Sequence, residues 1–252
     1  MDLKLVDPEL IPALEAIPEF DIWADLTVTR QVSLQRSQAV AATLAPISNV
    51  STLDYQVQQD SDDSVPVRVY RPVGHKENLP ALLWIHGGGY CFGSMEGDDY
   101  SVKRMVEEIG CVVISVDYRL APEFPFPVPL NDCYAALLWV FDNAHMLKVD
   151  KSSIAIGGIS AGGGLAAGLA LLARDRAEVS VVFQALLCPM IDNNSTSGTA
   201  SLIFKDGCIT WGCTRPRSKS PMRHLNTPLQ PTLATYTACR RLTLALVLSI
   251  CS

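Results

Sequence analysis

A serine flanked by glycines constrains the fold of this chain more than any other feature. Gly-Ile-Ser-Ala-Gly covers residues 158–162, after a short apolar run at 154–156 and before a helix-like segment at 165–173. A serine on a sharp turn from a strand into a helix presents its hydroxyl clear of the backbone, and the glycines remove side chains that would clash there. The pattern indicates an exposed nucleophile at Ser160, although an ordinary tight turn can produce the same pattern.

Apolar runs alternate with amphipathic segments along much of the chain. The strand-like runs cover residues 52–57, 65–70, 81–85, 112–116, 154–156 and 179–187, and the helix-like segments cover 100–109, a stretch capped by Asn131, and 165–173. Such alternation is typical of a mostly parallel sheet with right-handed crossovers. We therefore predict an α/β fold with a mostly parallel central sheet flanked by helices.

The first 45 residues carry a different pattern. A helix is predicted to open at Pro8, with Ile11, Leu14 and Ile17 on one face, and a second polar and apolar segment follows at about 28–42. Neither segment carries an obvious chemical group. From their position we expect residues 1–45 to form an N-terminal helical cap over a site.

Composition narrows the class of protein. With 252 residues, 48% of them hydrophobic and 18% charged, the chain has ample core for one large α/β domain with a small cap. The net charge of −6 disfavours a nucleic-acid partner. The first residues lack a signal-peptide layout, and the apolar run at 242–250 is too short to span a bilayer. We expect a cytoplasmic protein without a transmembrane segment.

The eight cysteines do not predict a metal site. Their spacings match no common zinc pattern, and a chain of this length without a signal peptide gives no reason to expect a disulfide framework. Cys111 and Cys188 lie in strand-like apolar runs, so we expect both to pack in the core.

Two further motifs follow strand-like runs in a fixed order. His-Gly-Gly-Gly-Tyr covers residues 86–90, and Tyr-Arg-Leu-Ala-Pro-Glu covers residues 118–123. Together with the glycine-serine motif they resemble the hormone-sensitive-lipase-like esterase and lipase branch of the α/β-hydrolases, over about residues 5–192. The resemblance implies the α/β-hydrolase fold and hydrolysis of small carboxylic esters through an acyl-enzyme, with no metal or organic cofactor.

The resemblance also implies roles for individual residues. Ser160 matches the family's nucleophile, and the backbone N–H groups of Gly88, Gly89 and Ala161 match the donors of its oxyanion hole. Such donors matter because negative charge grows on the carbonyl oxygen only as the transition state forms.

Other motif residues are expected to support the loop. By the same resemblance His86 has a structural role, and Arg119 and Glu123 hold the oxyanion loop through an ion pair and hydrogen bonds without touching substrate. Tyr90 either lines the acyl pocket or packs beneath it. One departure is Ile159, which stands where the family usually has Asp.

The resemblance stops before the other members of a catalytic triad. In this fold the acid and then the histidine follow the serine along the chain. His224 is the only histidine after Ser160, and its surroundings have no family pattern. No acidic residue follows Asp206, whereas several arginines and half of the cysteines do.

We interpret this change of composition as a change of reading frame between Asn193 and Trp211. Residues 239–251 can be encoded so that the adjacent frame reads Leu-Pro-Pro-Thr-Tyr-Ile-Gly-Thr-Gly-Ser-Val-Asp-Leu, which resembles the family's strand leading to the catalytic Asp. The coding DNA tests this hypothesis. If it holds, the last strands of the fold, the acid and the histidine are missing, and hydrolysis is impaired.

The predicted organisation has three parts. Residues 1–45 form the cap, 46–200 an incomplete α/β-hydrolase core, and 201–252 a poorly ordered tail. Two alternatives to an esterase stay open: a non-catalytic small-molecule-binding protein of the same fold, and a truncated product without function. The acyl chain length, the oligomeric state and a role for His224 as base are left undetermined by the sequence.

Overall fold

The computed structural model describes residues 3–16, 22–59 and 63–191. Within them, six strands form one sheet in the order β1-β2-β4-β3-β5-β6. The strands are β1 (Val50–Gln58), β2 (Ser64–Pro72), β3 (Leu79–Ile85), β4 (Val112–Val116), β5 (Val149–Ile159) and β6 (Phe183–Leu187). β2 pairs antiparallel with both β1 and β4, and the remaining pairs are parallel. The predicted mostly parallel α/β sheet is confirmed.

Six α-helices connect or precede these strands. They are α1 (Ile11–Glu15), α2 (Leu26–Ala41), α3 (Asp99–Ile109), α4 (Val128–Asp142), α5 (Ala144–Leu147) and α6 (Ala161–Arg176). Single 3₁₀ turns at Leu3–Leu5 and Pro8–Leu10 precede α1. The helix predicted to open at Pro8 therefore begins as a 3₁₀ turn, and Ile17 of its predicted apolar face lies outside the described residues.

The core lies on both faces of the sheet because alternate residues of a strand point to opposite sides. On β3, Leu82 and Trp84 pack with the buried face of α3, including Val102. Leu83 packs on the other face with residues of α4 and α6, such as Leu169. The continuous apolar run of β3 is thus explained by burial on both faces.

Two of the predicted boundaries that are wrong are instructive. The helix predicted to be capped by Asn131 begins earlier, at Val128, with Pro127 at its N-cap and Pro129 in its first turn. A proline in the first helical turn costs no hydrogen bond, because the N–H groups there have no partner within the helix. The last strand begins at Phe183 instead of residue 179. Just before the strand, the Val182 amide donates a hydrogen bond to the Ile154 carbonyl at 2.9 Å.

The two cysteines expected in the core behave differently. Cys111 is buried, as predicted, and burial raises the pKa of its thiol to about 12. Cys188 is exposed, so that prediction is wrong. It follows the last residue of β6 with a backbone φ of 37°, where the chain has already turned away from the sheet.

Several predictions concern residues that the structure does not describe. The frame change, the missing last strands, the tail at 201–252 and His224 all lie outside the described ranges. The division into cap, core and tail stays a prediction. Among the described residues, no helix is long and apolar enough to cross a membrane.

Candidate active site

Ser160 occupies the turn between β5 and α6. Its φ of 54° and ψ of −116° lie outside the regions that a residue with a side chain ordinarily adopts. Its amide donates to the Leu187 carbonyl at 2.8 Å, and its carbonyl accepts from the Met190 amide at 2.9 Å. The segment that follows β6 therefore holds the turn from both sides, which is how such strain persists at functional sites.

Close packing requires glycine at position 162, two residues after the serine. A Cβ atom at Gly162 would overlap the carbonyl oxygens of Ile85 and His86, at the end of β3. A Cβ atom at Gly158 would in turn overlap the backbone of Gly162. The motif's glycines thus allow the first turn of α6 to lie directly against the strand that leads into the other glycine-rich loop.

That second loop follows β3 and turns back on itself at Gly88. The Gly88 carbonyl accepts from the amides of Cys91 and Phe92 at 3.1 and 2.8 Å. Gly88 has a φ of 123° and Gly89 one of 60°. A side chain at Gly88 would overlap the Phe92 carbonyl as well as strain the backbone. The loop can therefore take this shape only with glycine at its tip.

The loop and the serine turn are in direct contact. A Cβ atom at Gly87 would lie 3.0 Å from the Ile159 carbonyl oxygen and 3.4 Å from the Ser160 Cβ. In the described part of the chain, the backbone hydrogen bonds outside helices and strands leave the amides of Gly88 and Gly89 unused. The Ala161 amide is the first of α6, where N–H groups have no helical partner.

His86 is enclosed beneath this loop. Its side chain is buried, and Nδ1 donates to the Gly87 carbonyl at 2.8 Å. The ring stacks on Tyr118 at 4.3 Å between centroids, and the Tyr118 hydroxyl donates to the His86 carbonyl. Nε2 lies 3.9 Å from Asp117 Oδ1. Burial raises the pKa of Asp117, and His86 opposes that shift. These contacts fit the expected structural role.

Arg119 and Glu123 each have an ion-pair partner that the sequence did not reveal. Arg119 Nη2 lies 2.8 Å from Oδ1 of the buried Asp132, and its Nη1 lies 2.7 Å from Asp63 Oδ2. Its amide also donates to Asp132 at 2.9 Å. Glu123 pairs instead with Arg30, at 2.8 Å. The two motif residues are therefore not paired with each other.

The sequence could have indicated one of these ion-pair partners, Asp132, but not the other, Arg30. Asp132 is a lone acid in the apolar first half of α4, and a charged residue there requires a partner when the helix is buried. Arg30 gave no such signal, because its partners Cys91 and Glu123 lie 61 and 93 positions further along the chain.

Ser160 opens into a cleft of about 620 Å³. Its walls include residues of α2 and of the two glycine-bearing turns, among them Arg30, Leu34, Ser37, Gly88 and Phe92. A larger cleft of about 760 Å³ shares Ser37 and Gly97 with it but does not include Ser160, and it is lined by the ion-paired Arg68 and Asp99. The cleft with the serine is the candidate active site.

Tyr90 does not line this cleft among the described residues. It is a core residue whose hydroxyl donates to the Met190 carbonyl at 3.0 Å. Burial raises the pKa of its hydroxyl to about 12. Of the two alternatives for Tyr90, the structure supports packing.

The described histidines do not supply an evident base for Ser160. His75 precedes β3 and His145 precedes β5, whereas Ser160 follows the carboxyl end of β5. Since β3 and β5 are parallel, those two histidines lie at the opposite end of the sheet. His86 is enclosed as described above. None of the three histidines in the described ranges is therefore placed to act as a base for Ser160.

Comparison with known proteins identifies the family. A family model described as alpha/beta hydrolase fold matches residues 82–229. The chain belongs to the α/β-hydrolase family. The hormone-sensitive-lipase-like branch predicted from the motifs is confirmed by its relatives. The family match extends to residue 229, whereas the motif-based resemblance ends at about residue 192.

Two curated relatives of this α/β-hydrolase are esterases by name. The chain is 38% identical over 184 residues to carboxylesterase NlhH of Mycobacterium tuberculosis, covering 73% of this chain and 57% of that protein. It is 37% identical over 183 residues to an arylesterase of Saccharolobus solfataricus, covering 70% and 59%. The chain thus spans less than two thirds of the length of these relatives.

Solved structures show the same relationship. A bacterial heroin esterase superposes with a TM-score of 0.75 at 37% identity, covering 90% of this chain and 74% of that one. A hyperthermophilic esterase from Pyrobaculum calidifontis superposes with a TM-score of 0.69 at 35% identity, covering 82% and 68%.

Proposed function

We propose that this α/β-hydrolase cleaves carboxylic esters with short or medium acyl chains, using Ser160 as nucleophile. The observation that carries the proposal is the strained backbone of Ser160, at φ 54°, in direct contact with the loop that presents the amides of Gly88 and Gly89. The names of the relatives, carboxylesterase and arylesterase, support the same reaction class.

The chemistry follows from these groups. Ser160 Oγ attacks the ester carbonyl carbon and passes its proton to a water molecule, since no described histidine is placed to accept it, and this gives a tetrahedral intermediate with a negative oxygen. The amides of Gly88, Gly89 and Ala161 donate hydrogen bonds to that oxygen. Collapse of the intermediate expels the alcohol, which takes up the proton, and leaves the acyl group on Ser160. A water molecule then repeats the sequence and releases the acid. No metal or organic cofactor takes part.

The rate depends on the base. His224 is the one histidine after Ser160, but the sequence around it matches no family pattern. We expect it not to act as base, so that hydrolysis is far slower than with an intact triad. With water in place of a histidine as proton acceptor, Ser160 is a far weaker nucleophile than in an intact triad.

Hydrolysis of p-nitrophenyl butyrate by the full chain tests the proposal. We expect a weak rate above buffer that disappears in Ser160→Ala. The exposed His145→Ala is the matched control and retains the rate, since His145 lies at the far end of the sheet. Equal rates for wild type and Ser160→Ala would contradict the proposed esterase. Loss of the rate in His224→Ala would show that His224 supplies the base and would overturn the expected impairment.

A further inference from the structure

Helix α2 lines the cleft but is scarcely attached by apolar packing. Of its sixteen residues, only Thr29 is buried. Val28, Val32 and Val40 are exposed. Since burial of apolar surface is the main force that holds one element on another, α2 must be held in place largely by other contacts.

Among the described residues, Arg30 supplies the most extensive of these contacts. Both terminal nitrogens of its guanidinium bind the Glu123 carboxylate, at 2.9 and 2.8 Å. Nη2 also donates to the Ala121 carbonyl at 2.9 Å, and Nε donates to the Cys91 carbonyl at 2.8 Å. A guanidinium can satisfy all four bonds because its donors are held in one plane.

Two of these acceptors belong to the backbone network of the oxyanion loop. The Cys91 amide donates to the Gly88 carbonyl at 3.1 Å, so the residue that Arg30 binds also closes the turn at Gly88. The Ala121 amide donates to the Tyr90 carbonyl at 2.9 Å. Arg30 therefore joins α2 to the turn at Gly88 and to the loop that supports it.

We propose that Arg30 is a positioning residue that couples helix α2 to the oxyanion loop and thereby orients the amides of Gly88 and Gly89. The role rests on the proposed function, since it concerns the donors of that reaction. Arg30 acts through the Cys91 carbonyl and not on the reacting atoms. Glu123 holds the guanidinium in the orientation that makes this contact.

Kinetics separate positioning from mere attachment of α2. We expect Arg30→Ala to lower kcat about tenfold while KM changes less than about threefold, because displaced oxyanion donors weaken only the transition state. Arg30→Lys keeps the charge but cannot make the planar set of bonds, and we expect it to lose a similar factor. Arg36→Ala, an exposed arginine on the same helix, is the matched control and keeps wild-type kinetics. A raised KM with unchanged kcat would contradict the proposal.

Amide hydrogen exchange gives a second test that needs no turnover. In Arg30→Ala and Arg30→Lys, we expect residues 88–92 to exchange about tenfold faster while the central strands β3 and β5 keep their protection. Arg36→Ala should leave the loop unchanged. Wild-type exchange at residues 88–92 in both Arg30 variants would overturn the proposal. If the wild-type chain shows no hydrolysis, the proposed function fails, and the exchange measurement still decides the role of Arg30.

Discussion

Helices α2 and α6 are both sixteen residues long and both adjoin the serine, yet they are attached in opposite ways. α6 buries seven residues, including Leu165 and Leu169, and its first turn touches the end of β3 through Gly162. α2 buries one, and hydrogen bonds of Arg30 hold it beside the loop. The proposed nucleophile thus lies on a packed element, whereas the wall of the cleft is held by polar contacts.

The difference separates two tasks. Ser160 needs a fixed, strained backbone, and only a tightly packed strand and helix can hold strain of this kind. The wall contributed by α2 can tolerate a weaker attachment, because elements that border a ligand are commonly drawn from the less stable parts of a fold. Three predictions test this contrast.

The largest effect is expected at the first turn of α6. Gly162→Ala places a methyl group onto the carbonyl oxygens of Ile85 and His86, which are backbone atoms that no rotamer change can move. We expect a loss of at least ~4 kcal/mol in the free energy of unfolding, measured by urea denaturation. Gly168→Ala is the control on the same helix, where the nearest atom is a Leu130 methyl at 3.6 Å. It should stabilise by up to ~1 kcal/mol. Equal effects of the two would contradict the packing argument.

A smaller effect is expected from truncating apolar side chains on the two helices. Leu169 is fully buried, so Leu169→Ala should cost about 3 kcal/mol through lost burial and the cavity left behind. Val32 on α2 is 47% exposed, and Val32→Ala should change stability by less than about 0.5 kcal/mol. The same denaturation measurement serves both variants. A cost at Val32 close to that at Leu169 would show that α2 is attached by apolar packing after all.

The smallest effect is expected from the pH dependence of the Arg30–Glu123 contact. The hydrogen bond from Arg30 lowers the pKa of Glu123 from its ordinary 4.5. Its stabilisation is therefore complete above about pH 4.5 and is lost as the pH falls through the lower folded-state pKa. Because Glu123 is half exposed, the contribution should stay below about 1 kcal/mol.

Thermal melts of wild type and Glu123→Gln between about pH 7 and pH 3 measure that contribution. The difference in Tm should be constant near neutrality and shrink towards zero at the acid end. A difference that widens on acidification would mean that the carboxylate destabilises the fold, contrary to the contact seen with Arg30.

Much of the sheet was predictable because its strands are continuous apolar runs. The predicted strand at 112–116 coincides with β4, and 81–85 lies within β3. Burial on both faces leaves little choice of residue there, so the pattern is strong. Boundaries failed where apolar residues continue past the strand. The apolar pattern of β6 already begins at residues 179–182, which are not part of the strand. It also runs on to Cys188, which lies in an exposed turn after the strand.

The candidate site divides in the same way. The motif residues Ser160, Gly88 and Gly89, which the structure brings together, could be chosen from sequence because the proposed chemistry requires glycine and serine at fixed local positions. Their ion-paired surroundings could not. Glu123 was expected to support the loop, but its partner Arg30 lies 93 positions away, and no local pattern records such a contact.

By itself, the sequence determined the alternating strands and helices, the family and the motifs from which the nucleophile is proposed, because local backbone geometry and two-sided burial dictate which residues can stand there. Only the tertiary structure decided how the serine turn and the glycine loop meet, which acid holds Arg119, and how α2 joins the site. These depend on packing and hydrogen bonds between residues far apart in the chain, whose pairing is settled when the sheet brings the ends of its strands together.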